Sequence, residues 1–287
     1  MTNMVPLQTK EWQREAEVTD LGQRIDSVFN AASADDMDSR LAVITSHDAA
    51  LPLLLERAIG ERRKDPVSFA ARRAFLHIAC HAPAQSPLEH KAISEYRRSS
   101  NNTIATDNWR ERGAIYPYPL LHAFEMRDDA ITLPTGHRVR QVVLAQFEKA
   151  LNHLATLGGR HRELVIMRCA DATRSLEGKG GSDLEHCCVS LFRRHMQEYK
   201  KEHGPLAAIE LLHNENINEP DLSPGMIHTL QDIYLEIVMN DLSPTQAAET
   251  VRQTLRQHHD RPLVPVAKSI QGSPELRRAA LQVIAPK

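Results

Sequence analysis

Apolar residues recur at every third or fourth position along most of the chain, with charged residues between them. This spacing is typical of amphipathic α-helices. The pattern is strongest over residues 139–154, where these apolar residues share one face: Val139, Val143, Phe147, Leu151 and Leu154. We predict that this face is buried. The same spacing predicts helices over 160–176 and 182–203, and several more before residue 98.

Four Ser-Pro dipeptides punctuate these runs, and an amphipathic segment follows each one. They are Ser86-Pro87, Ser223-Pro224, Ser243-Pro244 and Ser273-Pro274. A serine at the N-cap accepts a hydrogen bond from an unpaired backbone N–H, and proline in the first turn removes only a donor that the helix cannot use. Glu89 and Gln246 follow Ser86 and Ser243 at the spacing of a capping box. Each dipeptide therefore predicts the start of a helix.

The helical pattern fails over residues 99–119, which contain a turn-rich Ser-Ser-Asn-Asn-Thr run and the sequence Tyr-Pro-Tyr-Pro. We expect an N-terminal helical region over 1–98, a linker over 99–119 and a C-terminal helical region over 120–287, unless the chain forms one continuous domain. A short strand is expected at Ile131-Thr132-Leu133. Many helices with short connectors indicate an all-α fold, a multi-helix array of antiparallel hairpins arranged as an irregular bundle or a short α-solenoid.

Composition agrees with a folded helical protein. The chain has 287 residues, 41% of them hydrophobic and 5% aromatic, and a formal net charge of -2. That charge provides no broad basic field for nucleic acid or an anionic membrane. No apolar stretch reaches the length of a membrane span, and the N-terminus lacks the order of a secretory signal. We expect a soluble, cytoplasmic protein with reduced cysteines, and export without a conventional signal stays open.

A cysteine nucleophile is the first candidate chemistry. Cys187 and Cys188 are adjacent, and His153 or His161 is a candidate base from another helix. The neighbouring His186 points about 100° away from Cys187 on a helix, so it is not expected to face that thiol. Buried cysteines are common in cores and are usually inert. We interpret both thiols as packed residues and keep the nucleophile as the alternative.

Metal and nucleotide sites have weaker signals. His77 and His81 lie four residues apart on one predicted helical face, with Cys80 near the same edge. Ile78 occupies the position where a zinc-protease helix needs its glutamate, so we expect no metal site. The glycine-rich segment 178–181 lacks the residue order of a phosphate-binding loop. We therefore expect no cofactor.

A basic stretch is the remaining candidate site. Its arginines are Arg160, Arg162, Arg168 and Arg174. If they share an exposed face, they would form a local patch for nucleic acid. Glu163 and Asp171 interrupt the cluster, so the usual interpretation is a solvated helix surface.

The sequence thus specifies folding more strongly than chemistry. We expect an α-helical protein-interaction or adaptor protein, with a bacterial secreted effector or a secretion regulator as a special case. A cysteine enzyme and a nucleic-acid-binding protein are the alternatives. A protein partner is expected and nucleic acid is not, while the sequence leaves the oligomeric state open.

Overall fold

The computed structural model describes residues 20–44, 50–106, 116–134, 136–174, 176, 182–257 and 259–272. Of these residues, 78% are helical and none lies in a strand. The all-α prediction is confirmed. By their contacts the residues divide into two compact units, Met1–Tyr118 and Pro119–Lys287.

The first unit is built from five helices among its described residues. They are α1 (20–29), α2 (Ala34–Ile44), α3 (Ala50–Lys64), α4 (Phe69–His81) and α5 (Pro87–Ile104). Helix α4 packs against α2, α3 and α5. Its Phe75 and Ile78 side chains are fully buried, together with Leu41 of α2 and Leu54 of α3. This packing explains why the apolar positions of these helices recur at helical spacing.

Helix α5 extends beyond the end that the sequence predicts. The turn-rich residues Ser99 to Thr103 are helical, and α5 ends at Ile104 rather than near Arg98. Arg72 of α4 donates to the Thr103 hydroxyl at 2.8 Å, and that hydroxyl donates to the Ser99 carbonyl at 3.0 Å. The prediction of a turn was wrong here because burial against α4 outweighs the weak helix propensity of serine, asparagine and threonine.

The second unit contains the remaining helices. They are α6 (Tyr118–Thr132), α7 (Arg138–Thr156), α8 (His161–Asp171), α9 (Ser182–His203), α10 (Pro205–Leu212), α11 (Pro224–Glu236), α12 (Pro244–Leu255) and α13 (Leu263–Gln271). A π-helical turn, Ile237–Asp241, follows α11. Helix α8 packs against α7 and α9, α9 also packs against α10 and α11, and α13 packs against α11 and α12.

Three of the four Ser-Pro dipeptides begin helices as predicted. Ser86, Ser223 and Ser243 are the N-caps of α5, α11 and α12, and the hydroxyl of each accepts from the backbone N–H three residues on. Gln246 completes a capping box with Ser243. Ser273 lies outside the described residues.

The expected strand at Ile131-Thr132-Leu133 is wrong. Ile131 and Thr132 are the last residues of α6. The backbone N–H of Leu133 and the hydroxyl of Thr132 both donate to the Asp129 carbonyl, at 3.1 and 3.0 Å. These bonds satisfy the end of the helix, and local β-propensity does not override them.

Candidate functional site

Helices α7 and α9 of the second unit border a concave site. The face of α7 predicted to be buried is indeed buried, and Phe147 and Leu151 have no exposed surface. On α9, Cys188 and Phe192 are buried on the same face. Both apolar faces are buried in the unit, and the two helices contact each other.

An ion pair anchors the starts of the two helices. The Arg140 guanidinium of α7 donates to both Asp183 carboxylate oxygens of α9, at distances from 2.5 to 3.1 Å, and to the Leu133 carbonyl at 2.5 Å. The Arg140 side chain is 1% exposed and the Asp183 side chain 21% exposed. An enclosed arginine fork on a carboxylate fixes the relative placement of the two chain segments, because both hydrogen bonds demand one geometry.

A groove of about 380 Å³ lies between α7 and α9. The α7 residues that line it are Gln141, Leu144, Ala145 and Glu148, and the α9 residues are Asp183, His186, Cys187, Ser190 and Leu191. Leu144 and Leu191 are buried and form an apolar floor, whereas Gln141, Glu148, His186 and Ser190 are exposed. The groove therefore combines a small apolar floor with a polar rim, as ligand sites commonly do.

The rim is acidic. Among the described residues that line the groove, two are carboxylates and none is lysine or arginine. Asp183 is engaged by Arg140, but Glu148 is half-exposed and lies 3.5 Å from Arg194. Arg194 makes a shorter contact, 2.6 Å, with the Asn152 amide oxygen. Glu148 is thus the carboxylate most open to a ligand.

The thiol in the groove is in a poor environment for a nucleophile. Cys187 is half-buried, and burial, with the nearby Glu148 carboxylate, raises the pKa of its thiol to about 12. Burial raises the pKa of the Cys188 and Cys169 thiols as well. Since the thiolate is the reactive form, these environments suppress cysteine chemistry near neutral pH.

The candidate bases named from the sequence do not line the groove. His161 lies at the start of α8, where its Nδ1 is 2.6 Å from the Gly158 carbonyl. His153 lies on α7, outside the groove lining. The groove instead holds His186, which sequence reasoning had placed away from Cys187. Both side chains reach the concavity because adjacent helical positions can border the same opening from different sides.

The four basic residues of the 160–174 stretch occupy different surroundings. Arg160 is exposed before α8, whereas Arg162 forms ion pairs with Glu198 and Glu202 of α9. These pairs join α8 to α9. Arg162 is therefore already engaged within the unit.

Arg168 and Arg174 are also engaged in contacts inside the second unit. The buried Arg168 guanidinium lies 3.6 Å from the centre of the Phe124 ring and pairs with Asp171. Arg174 lies 3.5 Å from Asp171 and donates to the Asn216 carbonyl. Burial lowers the pKa of Arg168. Nucleic-acid binding by this stretch stays an untested alternative, and burial removes Arg168 from the surface such a ligand would reach.

The histidine pair of α4 consists of a partly buried His77 and an exposed His81. The ring centres of His77 and His81 are 4.2 Å apart, and the His81 Nδ1 lies 2.8 Å from the His77 carbonyl. Burial lowers the pKa of His77 to about 4, so its ring is neutral near pH 7. Cys80 is partly exposed nearby in sequence. Across the part of the chain that the structure describes, no three His, Cys, Asp or Glu side chains converge to hold a metal ion.

Two further predictions from the sequence concern the glycine-rich segment and a membrane span. The glycine-rich segment 178–181 lies outside the described residues. Every helix in the described ranges is too short or too polar to cross a membrane. No protein-family model, curated protein or solved structure matches this chain.

Proposed function

We propose that this chain is a protein-interaction protein whose α7–α9 groove binds a peptide segment of a partner. The observation that supports this proposal is the combination of an apolar floor, formed by Leu144 and Leu191, with an acidic rim that includes Glu148. The proposed occupant is an apolar side chain next to a lysine or arginine. The binding is non-covalent.

The size of the groove is sufficient for peptide side chains. A volume of about 380 Å³ is at the lower end of the range for small-molecule sites. It suits one or two side chains of a peptide. Leu144 and Leu191 lie at the bottom of the groove, and most of the apolar area that leaves water on binding would be that of the peptide side chain itself.

Charge selects the second side chain. Glu148 is about half exposed, and Arg194, at 3.5 Å from Glu148, lies closer to Asn152, at 2.6 Å. A lysine or arginine from a partner would find an available carboxylate, while an acidic peptide would be repelled. Charge complementarity of this kind sets specificity more than affinity.

The thiol supports binding over catalysis. A nucleophilic cysteine needs a lowered pKa, and the pKa of Cys187 is raised to about 12 by burial and by the Glu148 carboxylate. The same carboxylate that would attract a basic side chain therefore opposes formation of a thiolate.

Selection from a random peptide library displayed on phage tests the proposal. We expect the full-length chain to enrich peptides in which leucine, isoleucine or methionine lies beside lysine or arginine. Ala145→Trp should block the groove and abolish binding of these peptides. Thr156→Trp, on an exposed position of α7 outside the groove, is the matched control and should leave binding unchanged.

A charge variant tests the second half of the proposal. Glu148→Lys should reverse the preference from basic to acidic peptides while the apolar requirement persists. Enriched peptides that bind Ala145→Trp as well as they bind the unaltered chain would show that the groove is not the binding surface.

A further inference from the structure

Three cations converge on one buried carboxylate in the first unit. Glu95 of α5 lies 3.0 Å from Arg62 of α3, 3.4 Å from Lys91 and 3.6 Å from Arg98. Lys91 and Arg98 precede and follow Glu95 by about one turn of α5, so both reach the same side of the helix. Arg62 reaches it from the neighbouring helix.

The charges in this cluster do not balance. Three cations and one carboxylate leave two positive charges in excess. The Glu95 side chain is 4% exposed and the Arg62 side chain 12% exposed, whereas Lys91 and Arg98 are 56% and 60% exposed. The carboxylate is therefore the enclosed centre of the cluster, and two of its three cations belong to side chains that are more than half exposed.

We propose that this cluster, Arg62, Lys91 and Arg98 around Glu95, binds a phosphate monoester on a phosphorylated side chain of a partner protein. A phosphate monoester carries close to two negative charges at neutral pH, which matches the excess charge. Its oxygens suit the guanidinium fork of Arg98 and the ammonium of Lys91. Glu95 lies within 3.6 Å of all three cations, so their positive charge is concentrated in one place.

The compactness of the cluster favours a single phosphate group over a polymer. Nucleic acids and anionic membranes bind through many contacts spread over a basic surface. This cluster has two exposed cations, and the chain as a whole carries a net charge of -2. A phosphopeptide requires only the local charge.

The test is a fluorescence polarisation titration of the full-length chain with a labelled phosphoserine peptide and with its unphosphorylated form. We expect binding of the phosphorylated peptide only, and competition by inorganic phosphate. Lys91→Glu with Arg98→Glu should weaken binding at least about tenfold, as loss of charge-assisted hydrogen bonds implies. Arg193→Glu with Lys201→Glu makes the same charge change on exposed positions of α9 and should leave binding unchanged.

A second variant separates binding from folding. Glu95→Gln removes the competing negative charge and should tighten phosphopeptide binding, provided that circular dichroism shows native helicity. Equal binding of the two peptides, or equal losses in the α5 and α9 double variants, would overturn the proposal. Tighter binding of duplex RNA or of phosphatidylserine vesicles than of the phosphopeptide would overturn it too. Because the cluster and the α7–α9 groove lie in different units, failure of one proposal leaves the other standing.

Discussion

Removal of Arg140 should destabilise the second unit more than removal of any exposed arginine. Arg140 is 1% exposed and makes three contacts of 2.5 to 3.1 Å with the Asp183 carboxylate. Arg140→Met keeps much of the side-chain volume but leaves that carboxylate without its cation. Removal of one partner of a buried ion pair typically costs about 3 to 5 kcal/mol.

The partial exposure of Asp183 places the expected loss of stability near the lower end of this range. Its side chain is 21% exposed, so water can partly solvate the abandoned charge. We therefore expect a loss near the lower limit, about 3 kcal/mol, which is roughly a hundredfold change in the unfolding equilibrium constant. Arg194→Met is the control. Its pair with Glu148 is 46% and 49% exposed, and such pairs contribute about 1 kcal/mol or less.

The assay is urea unfolding followed by circular dichroism, with peptide-resolved hydrogen exchange in α7 and α9 to assign the loss to the second unit. A double-mutant cycle with Asp183→Asn measures the coupling between the two side chains. Asparagine has no charge, but its amide oxygen can still accept from the Leu184 N–H, which donates to Asp183 at 2.9 Å. The combined variant should cost less than the sum of the single ones. Additive losses, or a loss for Arg140→Met no larger than that for Arg194→Met, would refute the reasoning.

Three further predictions concern the core, the thiols and one buried histidine. Phe147→Ala should cost about 3 to 5 kcal/mol in urea unfolding, since Phe147 is fully buried, and a loss as small as that of the exposed Thr156→Ala would contradict this. Cys187 and Cys188 should react slowly with iodoacetamide in the native protein and quickly in urea, because burial raises the pKa of both thiols, and rapid native labelling would restore the nucleophile hypothesis. Burial lowers the pKa of His213 to about 4 from its ordinary value of 6.5, so the unfolded chain binds more protons between these values. The free energy of unfolding should therefore fall as pH falls through this range, and His213→Gln should reduce the pH dependence measured by urea titrations at several pH values.

The sequence correctly predicts the structural features that depend on residues close together in the chain. The buried face of α7 follows from the spacing of Val143 and Phe147, and the starts of α5 and α12 follow from Ser86 and Ser243. Hydrogen bonds and apolar spacing within a few residues decide these features. For that reason one segment of sequence is sufficient to identify them.

The helix boundary that was predicted wrongly depends on contacts with residues far away in the sequence. The sequence from Ser99 to Thr103, taken alone, predicts a turn. In the structure these residues are helical, and burial and the hydrogen bond from Arg72 stabilise them in that state. Burial against another helix contributes free energy that local propensity does not include. The sequence of α5 alone does not indicate that α4 packs against it.

The two candidate sites were hidden for the same reason. Ala145 and Glu148 on α7, and Cys187 and Ser190 on α9, recur at helical spacing, so each set could have been placed on one helical face from the sequence. The sequences of α7 and α9 do not indicate that these two faces border one groove. Likewise, Lys91, Glu95 and Arg98 form an ordinary charged face of α5 until Arg62 is brought to within 3.0 Å of Glu95.

The sequence by itself therefore determined that this protein is helical, where several of its helices begin and which of their faces are apolar. Only the tertiary structure decided that Arg168 is buried, that Arg140 pairs with Asp183, and that Glu148 lies on the rim of a groove. The physical reason is the range of the interactions. Capping and amphipathic spacing act between residues about one helical turn apart, whereas the charge balance and shape of a site depend on side chains that the fold brings together from separate helices.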